Sequence, residues 1–215
     1  MTRGEAIDLI AQRLGNRGTV LDTQIVLELQ QAQREMEALP ELPWFLSTKD
    51  TSLSTAATVR TVTLPSSFLF EDEDEGFLIT DSDGKKREIR KASYQDAALA
   101  DYLTNDEDGA STGVPEQYSI HAQTLYLFPT PDKVYTLELN YYATDTTLSA
   151  DATENDWLLY ASDVLIARAG LQIARFTRDM DAIQLFSPDL ATAVRRMMDQ
   201  STARREANRV ERLGG

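Results

Sequence analysis

The sequence predicts an α+β chain: a discontinuous helical bundle, built from N- and C-terminal helices, with a predominantly antiparallel β module inserted between them. Apolar residues recur at helical spacing before residue 43 and again after residue 150. Between those points the apolar period falls to two, and threonine, serine and turn residues become abundant. The expected parts are therefore residues 1–43, N-terminal helices of the bundle; 44–150, the β module; and 151–215, the C-terminal helices with a basic tail. The two helical ends should meet in space.

The elements follow in order. Ile7, Leu9, Ile10 and Leu14 line a short amphipathic helix that Gly15 and Gly18 end. A second helix has Asp22 as its predicted N-cap and runs through Ile25, Leu29, Ala32, Met36 and Leu39 to Pro40 and Pro43. After Trp44 the alternating pattern sets in, and "FLITDSDGKKREIRKASY" reads as two strands around an Asp83-Gly84 turn. "SYQDAALADYL" is a brief helix and "TNDEDGASTGVPEQ" a polar surface loop. "YSIHAQTLYLFPTPDKVYTLELNYYATD" predicts a hairpin whose turn holds Pro129 and Pro131. Trp157, Leu158, Ala161, Leu165, Ala169, Ile173 and Phe176 then mark one long helix. A last helix is expected after Ser187-Pro188, running through Leu190, Val194, Met197 and Met198 into "STARREANRVERLGG".

Composition narrows function. The 215 residues are 42% hydrophobic and 26% charged, enough for a core of ordinary size. With 21 Lys+Arg against 35 Asp+Glu the net charge is −14, which opposes broad binding to nucleic-acid backbones. There is no cysteine, so disulfides, thiolate nucleophiles and cysteine metal sites are excluded, and one histidine, His121, excludes paired-imidazole sites. No run approaches the ~20 apolar residues of a membrane span. The N-terminal stretch lacks a signal-peptide core, so the expectation is a soluble chain made in a reducing cytoplasm, without cofactor or metal.

Three patterns invite chemistry. Glu71, Asp72, Glu73, Asp74 and Glu75 form one acidic run; a solvated loop or interaction surface suits it better than acid-base catalysis, which needs partners with separated pKa values. Asp81, Asp83 and Gly84 begin like a calcium loop, but the glycine comes too early and no bidentate glutamate follows. Ser119 and His121 share a strand face without the elbow or orienting carboxylate of a nucleophilic serine. The tail carries Arg195, Arg196, Arg204, Arg205, Arg209 and Arg212 against Asp199, Glu206 and Glu211. A basic end on an acidic chain suits head-to-tail self-association. Two other classes stay open: a polysaccharide- or peptidoglycan-degrading enzyme using the acids at 71–75 or Asp106, Glu107 and Asp108, and a DNA-binding module using the tail arginines.

Several segments together resemble a known family: the N-terminal helix pair, "LPELPWFLSTKDTSL", "TVTLPSSFL", "VPEQYSIHAQTLYLFPTPDKVYTLELNYY" and "ENDWLLYASDVLIARAGLQIA". Pro115 to Tyr118, the Leu127 to Asp132 turn and the Trp157-Leu158 start carry most of the likeness. The chain resembles the head-to-tail adaptors of tailed bacteriophages, including the tail tubular protein A type. The resemblance implies a structural virion protein that is not an enzyme. It implies a ring, typically dodecameric, between the portal protein and a tail nozzle or tube protein, passing genomic DNA without specific binding and touching no membrane. On that reading the tail arginines are portal or inter-subunit contacts, Glu71 to Glu75 line an interface or the lumen, and Phe128, Pro129 and Pro131 form a stiff projecting hairpin.

Overall fold

The computed structural model describes residues 1–15, 21–72, 76–103 and 111–213, the side chains of 103 and 207–213 excepted. It is an α+β fold with helices at both chain ends and a curled mixed sheet between them. The chain divides into two compact units, a helical one of Met1–Leu46 with Asp145–Gly215 and a β unit of Ser47–Thr144.

In the helical unit, α1 (Arg3–Arg13) starts with a full capping box: Thr2 accepts from the Glu5 N–H at 3.2 Å and the Glu5 carboxylate accepts from the Thr2 N–H at 2.8 Å. It stops before Gly15, whose φ of +76° suits glycine. Helix α2 (Asp22–Glu37) departs from expectation at its start. Asp22 is its first helical residue and makes no cap bond, acting only as a negative charge near the positive helix end. The predicted long helix after Trp157 is two: α4 (Asp156–Tyr160), capped by Asn155 accepting from the Leu158 N–H at 2.9 Å, and α5 (Ser162–Thr177). The break falls at Ala161, with φ −141° and ψ 36°, and an alanine gives no sequence signal of it. Helix α5 is the central helix, packed against α2, α1 and the last helix, α6 (Met180–Leu213).

Helix α6 (Met180–Leu213) also corrects the sequence reading. It begins before Ser187-Pro188, where Asp179 accepts from the Ala182 N–H at 3.0 Å, and continues through Pro188. Proline there deprives one carbonyl of its helical donor, a cost of about 3 kcal/mol in a helix interior. Pro188 and Gln184 are both exposed, and packing of Ala182, Phe186, Ala193 and Met197 holds the helix on either side.

Helices α5 and α6 pack closely at Gly170. A Cβ there would lie 2.5 Å from the Phe186 ring, which is completely buried. Gly170→Ala is expected to destabilise the helical unit by about 1–3 kcal/mol through overpacking, although alanine is the better helix former. Adding Phe186→Leu should recover part of the loss; urea unfolding of the three variants and the parent measures that coupling.

The β unit is one sheet in the order β1 (Ser47–Asp50), β10 (Thr136–Ala143), β4 (Phe77–Thr80), β5 (Lys86–Lys91), β7 (Gln117–His121), β8 (Thr124–Phe128), β2 (Thr61–Thr63). Strand β3 (Phe68–Glu71) pairs with β10 beyond β4. Its two edge strands come from one stretch of chain: residues 47–55 run along β10, with the Leu137 N–H on the Leu53 carbonyl at 2.9 Å, and residues 60–63 run along β8. That stretch draws the sheet's edges toward one chain segment, and the concave side encloses Phe77, Ile79, Ile89, Leu125, Leu137 and their neighbours. Pairing is antiparallel except for β5 with β7 and the small ladder of β6 (Thr112–Gly113) with β9 (Thr130–Pro131). The parallel β5/β7 step needs a crossover, and α3 (Tyr94–Leu103) supplies it.

The Asp83-Gly84 turn forms as predicted, with Gly84 at φ +77° and the Asp81 carboxylate accepting from the Asp83 and Lys85 N–H groups, both at 2.9 Å. Those backbone donors, Lys85 first, hold the Asp81 carboxyl below its ordinary range. The proline hairpin does not form. Strand β8 pairs instead with β7 across a two-residue turn, Ala122-Gln123, with Ala122 at φ +51°. The chain leaves β8 at Pro129, which has no N–H for a ladder, and β10 finds its partners in β1, β3 and β4.

Tyr135 lies inside the β unit, 1% exposed, donating to the Asp132 carboxylate at 2.5 Å. Burial first, then the Asp132 hydrogen bond, push its pKa up to about 12 from the ordinary 10.0. The folded state thus keeps a proton that the unfolded state loses first, so this stabilisation is complete below pH 10 and is lost as pH rises towards 12. Absorbance titration at 295 nm should show a smaller phenolate signal near pH 10 in the folded protein than after unfolding. Tyr135→Phe should reduce that difference and flatten the alkaline loss of stability.

Candidate interaction surfaces

The acidic run is not the open surface that the sequence predicts, at least at its start. Glu71 and Asp72 are 5% and 8% exposed. Glu71 ends β3 opposite Tyr141, accepts from the Tyr118 hydroxyl at 2.8 Å and forms an ion pair with Lys91 of β5. Asp72 accepts from the Ser47 hydroxyl at 3.1 Å. Buried carboxylates keep their charge only with such partners, so both serve the β unit's own fold. Glu73, Asp74 and Glu75 lie outside the described residues, as do Asp106, Glu107 and Asp108.

The tail arginines are largely turned to internal use. Arg195 sits 3.9 Å from Asp199 on the same helix, an exposed pair of little energetic weight, while Arg196 reaches Asp163 of α5 at 3.1 Å. Further along, the Arg204 guanidinium stacks 3.6 Å from the Trp44 ring and Arg205 donates to the Leu42 carbonyl at 2.8 Å. Between them Ser201 accepts from the Trp44 N–H at 3.2 Å. The C-terminal half of α6 is thereby fastened to residues 42–44 by groups whose partners no local pattern reveals. Arg209 and Arg212 continue the helix, and their side chains are among those not described.

The residues expected to project do not. Phe128 is 3% exposed, with the Arg60 guanidinium 4.8 Å over its ring and Tyr94 edge-on at 5.7 Å. Pro131 is buried in the β6/β9 ladder and Pro129 is half-buried. Beside them runs an ion pair that sequence reading missed: buried Asp101 on α3 meets Arg60 and accepts from the Ser111 hydroxyl at 2.5 Å. On β7, Ser119 is buried and His121 exposed, with no hydrogen bond between them. Among the described residues no three His, Asp or Glu side chains are placed to hold a metal ion, and no helix is long and apolar enough to cross a membrane.

A second missed feature is the junction on the helical side. Glu37, 9% exposed, accepts through one oxygen from Gln33 at 2.9 Å, the Trp157 indole at 3.1 Å and the Asp145 N–H at 3.2 Å. Asp145 accepts from the Trp157 N–H at 3.1 Å, and the Trp157 ring meets Phe45 edge-on at 5.1 Å. The segments just before and just after the β unit are thus tied to α2 and α4.

Glu71, Asp72, Arg196, Arg204 and Arg205, which sequence reading singled out, are engaged with partners inside the fold. The model of the SU10 adaptor protein family matches residues 1–213, so the chain belongs to that family and is a bacteriophage structural adaptor. No curated protein sequence matches it.

Proposed function

We propose that this adaptor forms a ring, dodecameric as in the tail tubular protein A type that its sequence resembles, beneath the portal of the virion. The ring assembles in the host cytoplasm, extends the DNA channel at the head-tail junction and offers a platform to the tail nozzle or tube protein. The observation that carries this reading is the family match over essentially the whole chain. A net charge of −14 supports the channel role, because an acidic lumen repels the duplex and lets it slide where a basic one would retain it.

The test is mass by light scattering after size exclusion, for the protein alone and mixed with the cognate portal ring. A ring-sized species containing the portal is the expected result. A chain that stays monomeric with portal at every salt concentration would sink the proposal. Mass with portal present is the deciding value, because binding to a template can drive assembly that the free chain does not show.

A further inference from the structure

We infer that the edge of β5 facing away from β4 takes up an extended acidic segment of a partner protein, adding it to the sheet as a strand. Such uptake requires no ring. Strand β4 covers β5 from Lys86 to Ile89, but on the other side β7 joins it only at Arg90 and Lys91. There the Arg90 and Ala92 N–H groups donate to the Glu116 and Tyr118 carbonyls, both at 2.9 Å. Backbone hydrogen-bonding groups alternate in direction along a strand, so those of Lys86 and Glu88 point to the same side as those of Arg90. No strand pairs with them, and neither N–H has a hydrogen-bond partner among the described residues. The gap has a cause in the sequence. Pro115 has no N–H to continue the ladder, and Thr112–Gly113 before it pairs with β9 instead.

An open edge can bond any extended backbone, and side-chain charge decides which one. Residues 85–91 hold five cations in seven positions, the densest such run in the chain, against Glu88 alone. Lys86 and Lys91 already have buried partners, Glu138 and Glu71. Lys85, Arg87 and Arg90 are exposed and make no ion pair among the described residues. The nearby Asp81 carboxylate is occupied by the Asp83 and Lys85 N–H groups. An added strand would bring its side chains near Lys86 and Arg90 on one face of the sheet and near Lys85 and Arg87 on the other. Acidic side chains are attracted on both faces and basic ones repelled.

The end strands offer no such selection. Strand β1 has one cation and one acid, Lys49 and Asp50, and β2 has no charged residue. Facing like charges also oppose pairing of the β5 edge with the same edge of a second copy.

The experiment follows backbone amide exchange by NMR in the isotopically labelled protein with three probes. These are the acidic peptide TEVEVET, its fully N-methylated form, which keeps the charges but cannot join a ladder, and the cationic peptide TKVKVKT. Exchange at the Lys86 and Glu88 amides is expected to slow about tenfold or more at saturating TEVEVET and to stay unchanged with the other two. Equal binding of the N-methylated peptide would mean charge attraction without strand addition, and equal binding of TKVKVKT would mean addition without charge selection; either overturns the inference. The same holds if TEVEVET gives no protection, if these amides already exchange slowly in the free protein, or if duplex DNA binds the edge in place of the peptide. Protection that rises with protein concentration alone would make a second copy the occupant and overturn it too. A double variant, Arg87→Glu with Arg90→Glu, reverses two exposed charges that make no ion pair. It should keep the parental melting temperature and raise the Kd for TEVEVET several-fold; an unchanged Kd would remove charge as the selector.

Discussion

Replacing Trp157 by alanine is expected to destabilise the helical unit by about 3–5 kcal/mol, the range for deleting a large buried aromatic side chain. Trp157 is completely buried, rests against Phe45 and donates its indole N–H to Glu37. Alanine leaves both a cavity and a buried carboxylate short of one donor. Trp157→Phe separates the two losses: the ring remains, Glu37 keeps its bonds from Gln33 and Asp145, and the cost should fall to about 1–2 kcal/mol. The chain has two tryptophans, and in both variants Trp44 alone reports the helical unit by fluorescence during urea unfolding. Equal losses for the two variants would mean that the hydrogen bond, not the packing, dominates.

Asp101→Ala should cost about 3 kcal/mol in the β unit. It removes a buried partner and leaves the Arg60 guanidinium, whose side chain is 24% exposed, without its carboxylate. The Ser111 hydroxyl loses its acceptor at the same time. Replacing both members, Arg60→Met with Asp101→Leu, should restore most of the loss, because an apolar pair of similar volume carries no desolvation penalty. Amide exchange on β7 and β8, against which α3 packs, reads the effect. A double variant as unstable as the single one would show that the ion pair is not the source of the loss.

Legibility in the sequence follows the range of the interaction. The Asp83-Gly84 hairpin was readable because its geometry is set by the residues in the turn. The α1, α2 and α5 faces were readable because burial at a period of 3.6 leaves a trace in each segment. The Ala122-Gln123 turn was not, since neither residue announces a positive φ, and prolines nearby offered a stronger but misleading signal. Pro188 misled for the same reason: a local stop signal was overridden by packing of α6 on α5. The surfaces were least legible. A run of acids or arginines shows charge but not the partner, and Glu71 with Lys91 or Arg204 with Trp44 are joined only when distant segments fold together.

By itself, then, the sequence determined the α+β class, the helical ends with strands between them, and the resemblance to phage adaptors, all of which rest on local periodicity and on residue types that survive in a linear reading. Only the tertiary structure decided which charges are spent inside the fold and which stay exposed. That division depends on burial, and a carboxylate or guanidinium removed from water must find its counter-charge across the fold rather than along the chain.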